Sequence, residues 1–158
     1  MNINVLSRSV FNNLMQQHKI NDDNVEKYED VFFISINDTK TSLYYGESWF
    51  KRDHKNVMVL YFDDVESEDE TSPTNSGKCT PFSDKMARDL YDFVIKNLDK
   101  GQAIIHCMAG ISRSGAVGSF ICDLSQSNFY TFMRENPQVC ANARVMRMLN
   151  HINRNINT

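Results

Sequence analysis

Two periods of hydrophobic residues alternate along the chain. Short β-branched or aromatic runs at Ile3 to Val5, Val31 to Ile36, Val57 to Phe62 and 102 to 106 are bounded by Asn, Asp, Ser or Gly, the pattern of buried strands. Between them the spacing lengthens to that of helices. Ser7 can cap a helix that carries Val10, Phe11, Leu14 and Met15 on one face. Thr80-Pro81 fits an N-cap followed by proline, ahead of Met86, Leu90, Val94 and Leu98. Small residues from Gly115 to Ile121 predict a third helix, and 127 to 135 and 138 to 155 predict two more, divided at Asn136-Pro137.

Strands alternating with helices indicate an α/β fold with a central, mostly parallel sheet of four to five strands. The crossover from strand 57 to 62, through the Thr80 helix, to strand 102 to 106 is the connection a parallel pair requires. Residues 21 to 30 read as a loop. Tyr44, Tyr45, Trp49 and Phe50, in the connection between strands two and three, read as core or as cover for a sheet edge, with a substrate wall as the alternative. From Asp63 to Lys78 the chain turns acidic and then rich in Ser, Thr, Pro and Gly, an exposed loop pattern. In the last helix Val145, Met148, Leu149, Ile152 and Ile156 share a face, opposite a basic stripe of Arg144, Arg147, His151 and Arg154 that reads as solvated.

Composition narrows the class of protein. At 158 residues the chain suits one domain, spanning 1–158, and no apolar run is long enough for a bilayer. No signal-peptide or lipidation pattern stands at either end, so a soluble, cytoplasmic protein is expected. The net charge of -3 gives no bulk attraction to nucleic acid. Cysteines 79, 107, 122 and 140 have no paired spacing, which suits a reducing compartment and no metal centre.

The chemistry concentrates in His106-Cys107-Met108-Ala109-Gly110-Ile111-Ser112-Arg113-Ser114, a short loop between a strand and a helix. Backbone N–H groups at a helix start lack intrahelical partners, and the helix dipole adds positive potential, so a phosphate is favoured there. The same field stabilises a thiolate, the nucleophilic form of cysteine. Arg113 offers a planar fork for two phosphoryl oxygens, which lysine could not copy. Ser114 can donate its hydroxyl to the sulfur. Taken singly, Cys107 and Arg113 could be a structural thiol and a solvated helix-start residue; the combination with Gly110 points to a phosphate cradle.

His-Cys, five residues, Arg and Ser resembles the signature of the cysteine-dependent protein tyrosine phosphatase superfamily, and 109–114 resemble its dual-specificity branch most. The resemblance implies a single-domain tyrosine-phosphatase-like fold, with Cys107 as nucleophile and Arg113 as phosphate ligand. Residues Met108, Ala109, Gly110, Ile111, Ser112 and Arg113 would bind substrate, and Ser114 would stabilise the departing thiolate. No metal or other cofactor is implied.

The leaving oxygen needs a proton. After Cys107 the only acidic residues are Asp123 and Glu135, both on predicted helices, so the acid should lie upstream. Asp63 and Asp64 follow the strand ending at Phe62, where the resembling family places its acid. Asp64 aligns best, Asp63 is the alternative, and Asp69 fits less well. The segment between Asp64 and Cys107 is longer than that family commonly shows.

Substrates across the superfamily include phosphoproteins, phosphoinositides and RNA 5'-triphosphates. Uncharged Met108, Ala109, Ile111 and Ser112 lack the lysines of the lipid-acting branch, and Ala109 and Ser112 differ from the RNA-acting pattern. Phosphoproteins are therefore the expected partners, with phosphotyrosine favoured and dual specificity open. A phosphate-binding module without turnover is the reading from another class. Rhodanese-like sulfur transfer fits less well, since its loop lacks this arginine placement.

Overall fold

The computed structural model describes residues 1–67 and 77–157. Asp69, the least favoured acid, lies outside them. Four strands, β1 (Asn2–Ser7), β2 (Val31–Asn37), β3 (Val57–Tyr61) and β4 (Gln102–Cys107), form one sheet in the order β1-β4-β2-β3, and every pairing is parallel. Among the described residues five α-helices accompany it: α1 (Arg8–Gln17), α2 (Asp84–Asn97), α3 (Arg113–Leu124), α4 (Phe129–Glu135) and α5 (Ala143–Ile156). The expected α/β class and four parallel strands are observed.

Alternation along the strands sorts side chains into two cores. From β2, Phe32, Ile34 and Ile36 join Val5, Ile105, Phe120, Val145 and others in the larger one, between the sheet and the helices α2 to α5. Phe33, one position out of step, enters the smaller core with Phe11, Met15, Ile20, Phe50 and Val57. Both faces of β2 are buried, which accounts for its unbroken apolar run. Among the described residues the connection between β2 and β3 holds no α-helix; Phe50, fully buried there, packs against Phe11 of α1.

Several boundaries differ from the sequence expectation. The helix α2 begins at Asp84, capped by Ser83, whose side chain accepts from Met86 N–H, rather than at Thr80. Thr80 is tied across to Asp63 instead: Asp63 N–H donates to its carbonyl at 2.7 Å, and its own N–H donates to the Asp63 carboxylate at 2.8 Å. The last helix starts at Ala143, not 138, because residues 137 to 142 run along the loop that follows β4 and brace it. Val10 and Ile156, each assigned an apolar face, are exposed, whereas Ser7 caps α1 through Val10 N–H as expected. Among the described residues no helix is long and apolar enough to cross a membrane.

Candidate active site

In a parallel sheet the carboxyl ends of all strands open on the same edge, and there the functional side chains collect. The strand β4 ends at Cys107, β2 runs into Asp38, and β3 into Asp63 and Asp64. A cavity of about 320 Å³ at this edge is bordered by Cys107, Arg113, Asp38, Tyr44, Asp63 and Asp64, together with loop residues.

The loop from Met108 to Ser112 is staked from outside through its carbonyls. Met108 O accepts from Arg8 N–H at 3.2 Å, Ile111 O from Cys140 N–H at 3.1 Å, and Ser112 O from Asn142 N–H at 3.0 Å. Gly110 O accepts from the Gln138 side chain at 3.1 Å. Among the described residues no peptide bond is cis, and in a trans peptide the N–H points opposite to its carbonyl. The N–H groups of Ala109, Ile111, Ser112 and Arg113 are thereby turned away from these braces, toward the concave side of the loop. Gly110 makes the curl possible at φ 72°, a conformation that side chains disfavour. Ser112, the N-cap of α3, makes no side-chain capping bond, so that helix start retains donors for an anion.

Cys107 is buried at 2% exposure, and its Sγ lies 3.0 Å from Ser114 Oγ. Arg113 is buried as well. Its Nη1 donates to Phe62 O at 2.8 Å and lies 3.2 Å from Asp38 Oδ1. Its Nε has no hydrogen-bond partner among the described residues. Of the residues expected to bind substrate, Met108, Ala109, Ile111, Ser112 and Arg113 border the cavity, whereas Gly110 does not, and neither does Ser114.

The two candidate acids occupy different environments. Asp63 is buried and fully engaged: its carboxylate accepts from Thr39 N–H at 3.1 Å, from Thr39 Oγ1 at 2.8 Å and from Thr80 N–H at 2.8 Å. It staples the segments after β2 and before α2 to the end of β3, although its sequence context is that of an exposed loop. Asp64 is exposed at the cavity mouth, where its Oδ1 accepts from Ser112 Oγ and from Asn142 Nδ2, both at 2.9 Å. Only Asp64 thus joins the loop itself.

His106, adjacent to Cys107, faces the other side of the sheet. Its ring stacks on Phe11 at a 4.2 Å centroid separation, and its Nε2 lies 2.7 Å from Ser35 Oγ. Burial lowers its pKa to about 4, the nearby Arg8 and Arg113 charges add to this, and the Cys107 carbonyl opposes it. It is neutral at pH 7 and serves packing. Because the unfolded ring takes up a proton near pH 6.5 and the folded ring only near 4, folding stability is full above about 6.5 and falls as pH drops toward 4. The loss should approach about 3 kcal/mol, since each tenfold drop in proton affinity is worth about 1.4 kcal/mol. Urea midpoints at pH 7.5 and 4.5 test this: His106→Gln should show a smaller acid loss than wild type, and equal losses would refute the assignment.

Asp38, Gln138 and Asn142 are site residues that sequence reasoning does not single out. Asp38 carries a readable signal, an acid directly after a strand like Asp63 and Asp64. Tyr44, for which the sequence favours the core, is 47% exposed and borders the cavity, while Phe50 from the same stretch is core. Nothing in Gln138 or Asn142 marks them in the sequence, since their partners are backbone atoms and Asp64. Arg144, read as part of a solvated stripe, is half-buried and donates through Nε to Phe82 O.

No family model and no curated protein matches the chain. Among solved structures, the human tyrosine phosphatase-like serine/threonine/tyrosine-interacting protein is similar at 16% identity with a TM-score of 0.48, over 85% of this chain and 83% of that one. Tk-PTP in its active form is similar at 18% identity with a TM-score of 0.45, over 82% of each chain.

Proposed function

We propose that this chain is a phosphomonoesterase of the cysteine-dependent tyrosine phosphatase type, acting on phosphotyrosine and open to phosphoserine and phosphothreonine. The observation that carries the reading is a buried Cys107 beside Ser114, at the floor of a loop whose braced carbonyls face outward, with Arg113 Nε unpartnered next to it among the described residues. The phosphoryl group would sit on the inward N–H groups and Arg113. The Cys107 thiolate attacks phosphorus, the bond to the ester oxygen breaks, and Asp64 gives that oxygen its proton. Water then attacks the cysteinyl-phosphate, Asp64 takes the proton, and the thiolate leaves with help from the Ser114 hydroxyl. Tyr44 at the cavity wall supports an aromatic substrate, whose ring it can pack against.

Hydrolysis of aryl phosphates with leaving groups of graded acidity tests the assignment. Asp64→Asn should lose roughly 100-fold with a poor leaving group and much less with a nitrophenol, the signature of a lost proton donor. Asp63→Asn should instead lower unfolding stability by about 1–3 kcal/mol, because its amide turns a donor toward groups that also donate. A leaving-group dependence that follows Asp63 would reverse the two roles. A folded wild type that binds phosphopeptide without turnover would make the chain a binding module.

A further inference from the structure

Arg8 connects the floor of the cavity to the wall that carries Tyr44. The segment from Thr39 to Ser48 is fixed at both ends, where Thr39 is bonded to Asp63 and Ser48 Oγ lies 3.2 Å from the buried Ser35 Oγ. Its tip is not packed: Leu43, Tyr44 and Tyr45 are all exposed. Among the described residues, the only hydrogen bond that reaches Leu43 to Gly46 from outside the segment is donated by Arg8 Nη1 to Tyr44 O at 2.7 Å. Arg8 is the first residue of α1, and its own N–H donates to Met108 O, in the loop after β4, at 3.2 Å. One residue thus holds the floor through its main chain and the wall through its side chain. The guanidinium also rests against Gly46, where an added Cβ would fall 2.9 Å from Nη1 and 3.3 Å from Cζ.

We propose that Arg8 is a positioning residue that gives the site a preference for aromatic over aliphatic phosphate compounds. Arg8 itself does not border the cavity, whereas Tyr44 does. By fixing the Tyr44 carbonyl, Arg8 sets where that ring stands, and packing against a ring is what an aryl group offers and a small alkyl group lacks. A tip released from Arg8 has to be ordered when the ligand binds, and that entropy is subtracted from aryl affinity alone. The inference rests on the loop being the phosphate site and Tyr44 its wall, but not on turnover. A role through charge gives a different result, because loss of a cation weakens every anion alike.

Calorimetric titration with phenylphosphonate and methylphosphonate, which share a headgroup and have no ester bond to hydrolyse, tests the proposal. Wild type should bind the phenyl compound about 10-fold more tightly. Arg8→Ala should remove about 5-fold of that preference and change methylphosphonate affinity by less than about twofold. Tyr44→Ala should remove the preference as well, and adding Arg8→Ala to it should take nothing further, because Arg8 acts only through the ring. Gly46→Ala offers a second route that keeps the charge. Gly46 does not hold a positive φ, and the new methyl would displace the guanidinium from Tyr44 O, so phenyl preference should fall as in Arg8→Ala. Equal losses for the two phosphonates in Arg8→Ala, additive losses in the double variant, or a wild type without phenyl preference overturn the proposal. If Arg8→Ala does not fold, Gly46→Ala decides. Turnover of aryl phosphate with a preference indifferent to Arg8 removes this role and leaves the phosphatase reading in place. A preference that depends on Arg8 in a protein without turnover supports the role and removes the enzyme, and a chain that binds neither phosphonate overturns both.

Discussion

Serine in place of Cys107 is expected to lower aryl phosphate turnover by about 10⁴-fold or more, while the thermal midpoint stays nearly unchanged. Among the described residues that line the cavity, Cys107 carries the one thiol, a strong nucleophile when ionised, and a serine hydroxyl at the same place stays protonated at neutral pH. The substitution is close in volume, and the neighbouring Ser114 hydroxyl, 3.0 Å from the sulfur, can pair with the new oxygen. Binding should survive, because the cradle consists of backbone N–H groups and Arg113 rather than of the thiol. Initial rates combined with phosphopeptide binding separate the two: a variant that binds as wild type but does not turn over fits the nucleophile. Residual turnover within 10-fold of wild type would exclude Cys107 from that role.

The second large effect belongs to Gly110. A Cβ added there would fall 2.5 Å from both the Leu6 carbonyl carbon and Ser7 N, and 2.8 Å from Leu6 O. All three are backbone atoms at the end of β1, which cannot rotate out of the way. The residue also holds φ 72°, so Gly110→Ala combines steric overlap with backbone strain. We expect a loss of about 2–4 kcal/mol in unfolding stability. Where the chain still folds, activity should fall by roughly 100-fold or more, because loop N–H groups displaced by an ångström no longer converge on one anion. Urea unfolding and steady-state rates measured on the same preparation check both parts. Gly110→Ala with wild-type stability and rate would show that β1 does not press on the loop.

The loop reads clearly in the sequence because its chemistry is local. Cys107 to Ser114 are consecutive, and the requirement for a small residue, a fork of donors and a helix start is met within eight positions. The strands are legible for a similar reason: β2 and β4 are buried on both faces, so their apolar runs are unbroken. Helix starts are less legible. Thr80-Pro81 has the form of a cap, yet Thr80 forms bonds with Asp63, 17 positions earlier in the chain, and the cap moves to Ser83. Gln138 to Asn142 have helical spacing, but their bonds to Gly110, Ile111 and Ser112 hold them as a brace. In both places a long-range hydrogen bond overrides a local preference.

By itself, then, the order of residues determined the α/β class, the loop between β4 and α3, and the identity of its cysteine, arginine and serine, because each follows from near neighbours along the chain. The tertiary structure alone decided which carboxylates stand beside that loop. Asp63 and Asp64 are adjacent in sequence, yet one is drawn into a staple and the other stands at the cavity mouth. Asp38 arrives from a different strand because β2 and β3 are parallel and end on the same edge. The charge that borders the cavity is set by that shared edge, which no stretch of sequence contains.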